Sequence, residues 1–273
     1  MEPNALRKKA IHIRRDLLKM IHHAGAGHTG GALSSVDILT ALYYEIMRID
    51  PSNPKWDGRD YFVMSKGHSV EGLFCILADK GFFDKAELDT FCAFGTRLIG
   101  HPSNKVPGVE MNTGALGHGL PIAAGMAKGL KMMQRPNRVY TVMGDGEQAE
   151  GSIYEAAMAA SHFKLDNLTA FIDRNHLQIS GDTETVMALE PLAERWRAFG
   201  WQVTELDGND MEALVKELRR DPTAGKPRMI IAHTVKGKGV AEMENVPKWH
   251  HGVPDEALLA SAMRQLDEQE RGL

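Results

Sequence analysis

The feature that most constrains this fold is a regular alternation of short apolar runs with amphipathic segments in the second half of the chain. The apolar runs, at about 138–143, 168–173, 201–206 and 228–235, have the length of strands, and helical periodicity fills the segments between them. Because the runs are apolar rather than alternating, both faces of each strand should be buried. The pattern predicts an α/β fold in which a parallel sheet carries helices on both faces.

Helical periodicity, capping residues and glycine breaks predict the remaining elements. They are a helix over 4–23, a glycine-rich loop at Gly25–Gly31, a second helix capped by Ser34 or Ser35, a strand over Tyr61–Ser65, a helix ending near Gly81, a helix over Lys85–Ala93 with Asp84 and Glu87 as its capping box, and helices at about 118–134, 148–163, 190–199, 210–220 and 255–271. Neither a repeat nor an interdomain linker is visible, so residues 1–273 are expected to form a single domain.

Composition excludes several classes of function. The 273 residues carry 32 basic and 36 acidic side chains, a net charge of −4, which argues against nucleic acid or an anionic membrane as partner. The chain shows neither an apolar stretch long enough to span a membrane nor a signal-peptide core, so a cytoplasmic location is expected. Cys75 and Cys92 have apolar neighbours and are interpreted as small core residues rather than a disulfide or metal pair.

The strongest candidate site is Gly144-Asp145-Gly146-Glu147, which directly follows a predicted strand. The two glycines allow the backbone to approach an anion, and the N-terminus of the next helix favours negative charge at the same place. An aspartate there is explained if a cation lies between its carboxylate and phosphate oxygens, and Mg²⁺ prefers such oxygen ligands. A tight turn without a ligand would also account for the three residues 144–146.

A second ligand is predicted at the end of the next strand, where Asn175 follows Asp173 and Arg174. In parallel sheets the carboxyl ends of neighbouring strands share one edge, so the Asn175 amide should face Asp145. A backbone carbonyl near Leu177 would be the third protein ligand.

Histidines in glycine- or proline-rich loops form a second group of candidates: His28, His68, His101, His118 and the pair His250–His251. Such histidines bind phosphate, hydrogen-bond sugar hydroxyls or move protons. A zinc site is the alternative, but the loop positions lie far apart in sequence and no cysteine pair or HExxH motif accompanies them.

Together these motifs resemble the diphosphate-binding half of thiamine diphosphate enzymes, and more narrowly the N-terminal subunit of a split transketolase. The resemblance covers nearly the whole chain. Its matching stretches are Gly27-His28, Phe62–His68, Gly100-His101-Pro102, Thr113–Gly117, Gly144-Asp145-Gly146, Asp173–Ile179, Trp196–Trp201 and Thr234–Gly239.

The resemblance implies a role for each matching position. Asp145, Asn175 and the Leu177 carbonyl would hold Mg²⁺, or another divalent cation such as Ca²⁺ or Mn²⁺. The implied contacts to thiamine diphosphate are His68, Gly114, Ala115, Leu116, Gly146, Glu147 and Asn175. The implied catalytic histidines, which would bind the donor ketose, are His28, His101 and either His250 or His251; the last two are also implied cofactor contacts.

The implied activity is transfer of a two-carbon ketol unit from a ketose (phosphate) donor to an aldose acceptor. In this family the aminopyrimidine-binding domain carries the activating glutamate, and too little sequence follows strand 228–235 for such a domain. The chain is therefore expected to be inactive alone and to pair with a separate C-terminal subunit, as a heterotetramer with two copies of each chain.

Three alternatives remain at this point. Thr29 stands where most relatives have proline and His118 where they usually have glutamine, which leaves an unusual sugar donor open. A subunit of another thiamine diphosphate enzyme, similar to deoxyxylulose-phosphate synthase or a 2-oxoacid dehydrogenase, is the nearest rival. A non-catalytic subunit that kept the cofactor fold is the third.

Overall fold

The computed structural model describes residues 1–273, and its centre is a five-stranded parallel sheet. The spatial order of the strands is β1-β2-β3-β7-β6, and a separate two-stranded antiparallel hairpin is formed by β4 and β5. The strands are β1 (Tyr61–Met64), β2 (Val139–Gly144), β3 (Leu168–Arg174), β4 (Leu177–Gln178), β5 (Gly181–Asp182), β6 (Gln202–Asp207) and β7 (Arg228–His233). The predicted α/β fold with a parallel sheet is confirmed.

Helices cover both faces of the sheet and enclose two hydrophobic cores. The helices are α1 (Pro3–Ala24), α2 (Thr29–Ala41), α3 (Val70–Lys80), α4 (Gly119–Met132), α5 (Gly151–His162), α6 (Thr183–Val186), α7 (Leu192–Ala198), α8 (Met211–Leu218) and α9 (Glu256–Arg271). Strand side chains alternate between the cores: Phe62 and Met64 pack with α1, α2 and α3, whereas Val63 packs with α4 and α5. No helix has the length and apolar character needed to cross a membrane.

Several local predictions are wrong at element boundaries. Helix α2 begins at Thr29 rather than at Ser34 or Ser35, and both serines are fully buried inside it, with hydroxyls that donate to the Gly31 carbonyl. After Ala41 the chain continues as one π-helical turn, Leu42–Ile46. The helix expected at Lys85–Ala93 is a 3₁₀ helix that ends at Thr90.

The capping box is only half formed. The Asp84 side chain accepts the amide N–H of Ala86, but the Glu87 carboxylate binds the Arg97 guanidinium, at 2.8 and 3.0 Å, rather than the helix N-terminus. Cys75 is buried as predicted. The prediction for Cys92 is wrong: its side chain is exposed, in a turn where its φ is 57°.

Candidate active site

A cavity of about 360 Å³ lies beyond the carboxyl ends of β1, β2, β3 and β7. Loops that follow each of these strands line it, as do the start of α2 and the hairpin formed by β4 and β5. Its lining residues are His28, Gly31, Lys66, His68, Gly114, Leu116, Gly144, Asp145, Gly146, Glu147, Asn175, Leu177, Gln178, Ile179, Ser180, Lys236 and His250. This is the edge at which ligands bind open parallel sheets.

Asp145 is fixed at the end of β2 by backbone amides. Its Oδ1 accepts the N–H of Gly146 at 2.8 Å, and its Oδ2 accepts the N–H of His176 at 2.7 Å and lies 3.4 Å from Arg174 Nη1. Burial, and then the neighbouring Asp173 carboxylate, raise the pKa of Asp145 to about 6. Each carboxylate oxygen keeps accepting capacity, so a cation at this buried carboxylate would relieve the cost of its charge.

Asn175 and Leu177 line the same cavity from the end of β3. The Asn175 Oδ1 accepts the N–H of Leu177 at 3.1 Å, which forms a tight turn and fixes the amide. The carbonyl oxygen of Leu177 accepts Lys236 Nζ at 3.3 Å. The structure thus brings the predicted carboxylate, amide and carbonyl to one cavity.

Two buried lysines line the cavity, and one of them has no ion-pair partner. Lys66 donates to the Gly31 carbonyl at 2.9 Å and forms an ion pair with the fully buried Asp173. Lys236 contacts His250 Nδ1 at 3.1 Å, and burial and then the charge of Lys66 lower the pKa of Lys236 to about 8. Neither lysine was among the predicted site residues, although both lie in stretches that carried the family resemblance.

Glu147 lines the cavity, but its carboxylate is engaged by the protein. It accepts the Ser65 hydroxyl, the N–H of Gly117 at 2.9 Å and the N–H of Gly144 at 3.0 Å. Burial raises the pKa of this carboxyl. Glu147 therefore ties the loops that follow β1 and β2 to the loop that precedes α4.

The rings of four other loop histidines surround His28, and three of the five, His28, His68 and His250, line the cavity. The His28 ring centroid lies 5.3 Å from His68, 6.2 Å from His101, 5.8 Å from His250 and 4.7 Å from His251. Burial is the largest cause that lowers the pKa of His28, to about 4, and of His250, to about 3. These imidazoles are consequently neutral at physiological pH, and each offers one donor and one acceptor nitrogen.

The neutral state of His68 predicts a loss of stability in acid. Burial and then the charge of Lys66 lower the pKa of His68 to about 2. Since the unfolded chain binds this proton at about pH 6.5, the free energy of unfolding should fall by up to about 1.4 kcal/mol per pH unit below that value. Urea unfolding of the ligand-free chain from about pH 7 to about pH 5 should show a smaller acid loss in His68→Gln.

His12→Gln is the control for this measurement, because His12 is exposed on α1 and pairs with Glu270 at 2.9 Å. An acid loss that is the same in His68→Gln as in the unsubstituted chain would contradict a neutral His68.

Not every predicted residue lines the cavity. His101 packs behind the lining: a Cβ on Gly114 would lie 2.5 Å from the His101 ring. Ala115 and His251 are exposed, and of the two adjacent histidines only His250 lines the cavity.

The two departures from the family pattern, Thr29 and His118, also lie outside the lining. Thr29 is fully buried and its hydroxyl donates to the Gly252 carbonyl at 2.5 Å, whereas His118 is exposed beside the Leu116 carbonyl.

The residues present fit a divalent cation and a diphosphate. The carboxylate, amide and carbonyl oxygens are hard ligands of the type that Mg²⁺ takes, and two ammonium groups line the same cavity. A buried Gln178 Nε2 beside Gly146 has no hydrogen-bond partner in the protein, so it is free to donate to a ligand. No group of three His, Cys, Asp or Glu side chains could hold a metal ion. The predicted site does not require such a group, because Asp145 is its only ligand of these four residue types.

The fold and site together define an α/β protein with a polar cavity, lined by carboxylates, an amide and two buried lysines, at the carboxyl edge of its parallel sheet. The profile of the family "Transketolase, thiamine diphosphate binding domain" matches residues 6–268. This chain belongs to the transketolase family, as its sequence motifs predicted.

Curated relatives agree with this assignment. The chain is 52% identical over 270 residues to one of the subunits of the apulose-4-phosphate transketolase of Phocaeicola vulgatus, covering 98% of this chain and 96% of that protein. It is 42% identical to a 6-deoxy-6-sulfo-D-fructose transketolase subunit from a Clostridium species, covering 97% of each chain. These relatives, which are named as transketolase subunits and match this chain over almost their whole length, confirm the predicted resemblance to the N-terminal subunit of a split transketolase.

A solved structure shows the same fold. The transketolase of Campylobacter jejuni superposes with a TM-score of 0.91 at 33% identity. The match covers 96% of this chain but 42% of that one, so this chain spans less than half of a full-length transketolase.

Proposed function

We propose that this chain is the diphosphate- and metal-binding subunit of a transketolase. The observation that carries the proposal is the convergence of Asp145, Asn175 and the Leu177 carbonyl with Lys66 and Lys236 on one cavity. In this assignment the three oxygen ligands hold Mg²⁺, or Ca²⁺ or Mn²⁺ in its place. Lys236, which forms no ion pair in the protein, neutralises part of the charge of the diphosphate, and Lys66, paired with Asp173, lies beside it. Residues 1–273 act as one cofactor-binding domain.

When bound, thiamine diphosphate supplies the stabilisation of the carbanion formed as the donor's carbon–carbon bond breaks. The chain's own contribution is binding and proton transfer. His28, at the centre of the cluster, and His250, on the lining, donate to and accept from the donor's hydroxyl groups in their neutral forms. His101 and His251, which flank His28, complete the contacts to the sugar.

The second half of the active site is proposed to come from a separate chain that carries the aminopyrimidine-binding domain. Two observations support this. Relatives named as transketolase subunits match this chain over almost their whole length. Full-length transketolases contain more than twice as much sequence. A heterotetramer with two copies of each chain would place every active site between subunits.

The proposed donor is a ketose, with a phosphorylated sugar as the first choice. Apulose 4-phosphate is the most direct candidate, because it is named for the 52% identical relative. A sulfonated ketose is the second, from the 42% identical relative. Neutral hydrogen-bonding histidines suit any of these polyhydroxylated donors better than a small keto acid.

Reconstitution tests this proposal. The purified chain alone should bind thiamine diphosphate with Mg²⁺ but transfer no ketol unit. Addition of the separate chain that carries the aminopyrimidine-binding domain should raise the rate of ketol transfer by at least about 1000-fold, because it completes the catalytic site. Apulose 4-phosphate, 6-deoxy-6-sulfofructose, fructose 6-phosphate and pyruvate would be compared as donors. Robust transfer by the isolated chain would contradict the two-chain site, and preference for pyruvate would contradict the sugar donor.

A further inference from the structure

Glu71 is a buried glutamate that the proposed site does not use. It is the second residue of α3 and is 0% exposed. One carboxyl oxygen, Oε1, accepts the backbone N–H of His28 at 2.7 Å, and the other, Oε2, is buried without a partner. A glutamate is seldom buried so completely without a paired cation, because burial of an unpaired carboxyl costs free energy. A functional role for Glu71 would explain this cost.

The turn between α1 and α2 is built against this carboxyl. Gly27 has a φ of 156°, and a Cβ on it would lie 2.7 Å from Ile21 Cγ1 and 3.0 Å from Glu71 Oε1. Only glycine therefore allows the backbone to pass between the two side chains. His28 comes next and is the N-cap of α2, so its N–H receives no partner from the helix itself. Glu71 supplies that partner.

The position of His28 matters because its ring lies within 6.2 Å of four other histidines of the cluster. Immediately after it, the Thr29 hydroxyl donates to the Gly252 carbonyl. Residue 28 is thus anchored to α3 through its own N–H, and both it and Thr29 are paired with Gly252, which follows His250 and His251. A shift of this backbone would move the ring relative to all four partners.

We propose that Glu71 is a positioning residue for the donor ketose: it fixes the His28 backbone and, through it, the imidazole that meets the sugar. The inference rests on the proposed function, in which His28 binds the donor. Glu71 itself does not line the cavity and does not touch the ligand. Because the proposed function assigns the His28 ring to the donor sugar rather than to the diphosphate, the effect should appear mainly in donor binding and little in cofactor or acceptor binding.

The role of Glu71 requires an accepting oxygen rather than a negative charge. Burial raises the pKa of Glu71 to about 7, so a large fraction of the carboxyl is neutral under ordinary assay conditions. Glutamine offers the same carbonyl acceptor on the same side-chain length. Glu71→Gln should consequently retain the function, whereas Glu71→Leu removes the acceptor and leaves the His28 N–H buried and unpaired.

The test compares both variants in the reconstituted two-subunit enzyme. Glu71→Leu should raise the KM for the ketose donor by about 10-fold, the scale of one unmade hydrogen bond, with thiamine diphosphate affinity and acceptor KM changed less than about 2-fold. Glu71→Gln should restore the donor KM. If the leucine variant does not fold, Glu71→Met, which keeps the side-chain length without an acceptor, takes its place.

Glu217→Leu is the matched control: this glutamate is also buried, 4% exposed, but it contacts Thr204 and Arg220 rather than the cavity loops. It should leave the donor KM unchanged. An unchanged donor KM in Glu71→Leu, equal impairment in Glu71→Gln, or an equal loss of cofactor and acceptor binding would each overturn the positioning role.

A measurement without turnover separates this inference from the proposed function. The imidazole ¹H–¹⁵N signals of His28, assigned with His28→Gln, should shift in Glu71→Leu and keep their positions in Glu71→Gln. If the reconstituted enzyme transfers no ketol unit while these shifts occur, the proposed function fails and the structural link stands. Unmoved signals in the leucine variant would overturn the link itself.

Discussion

Replacement of Asp145 by alanine is expected to abolish magnesium-dependent binding of thiamine diphosphate. The carboxylate is the only charged side chain among the three proposed metal ligands, and burial already raises its pKa to about 6. A metal-bound diphosphate would lose its main attachment, so the cofactor Kd should rise at least about 100-fold, or about 2.7 kcal/mol. Titration of the isolated chain with cofactor at several Mg²⁺ concentrations, followed by tryptophan fluorescence or calorimetry, measures this.

The substitution also leaves the N–H groups of Gly146 and His176 without their acceptor, so the fold must be checked by circular dichroism and thermal unfolding. Asp166→Ala is the control, because Asp166 pairs with Lys131 outside the cavity. His101→Ala should give the opposite pattern: the substitution should slow turnover and leave the affinity for the cofactor unchanged. Unchanged magnesium-dependent affinity in Asp145→Ala would remove the metal assignment.

The sheet and most of the helices could be predicted because four of the five central strands are apolar runs between periodic segments. The edge strand β6 is polar (Gln202–Asp207) and has no fully buried residue, so the expectation that both faces of every strand are buried is wrong there. The start of α2 could not be predicted. Gly30 and Gly31 are poor helix formers, but a Cβ on Gly30 would lie 2.8 Å from the Trp249 carbonyl, so glycine is needed for close packing inside the helix. The hairpin of β4 and β5 was missed since strands of two residues show no periodicity.

Some residues of the site could likewise be predicted from the sequence, and others could not. Asp145, Asn175 and Leu177 could be placed together because they follow adjacent strands of one sheet, a relation that sequence order and topology determine. The burial of a long side chain is determined by tertiary packing. Lys236 lies three residues beyond β7, and its direction depends on α2 and the loop before α9. The sequence could not distinguish His250 from His251 for the same reason: both rings lie near His28, and tertiary packing determines that only His250 lines the cavity.

Lys236 carries the other large expected effect. Its ammonium is almost fully buried, contacts the Leu177 carbonyl and His250, and lines the cavity where the diphosphate is proposed to bind. A charged hydrogen bond formed in such a site contributes about 1.5–3 kcal/mol. Lys236→Met, which keeps the length of the side chain without its charge, should therefore weaken thiamine diphosphate binding about 10- to 100-fold in the same titration.

Two features make this result specific. Lys238→Met is a matched control two residues along the same loop, where the lysine is partly exposed, lies 3.9 Å from Glu244 and does not line the cavity. Thiamine, which lacks the diphosphate, should show the same weak binding to both variants and to the unsubstituted chain, because the lost interaction belongs to the phosphate oxygens. An equal loss of affinity in both lysine variants would indicate a general effect of net charge and contradict a direct role for Lys236.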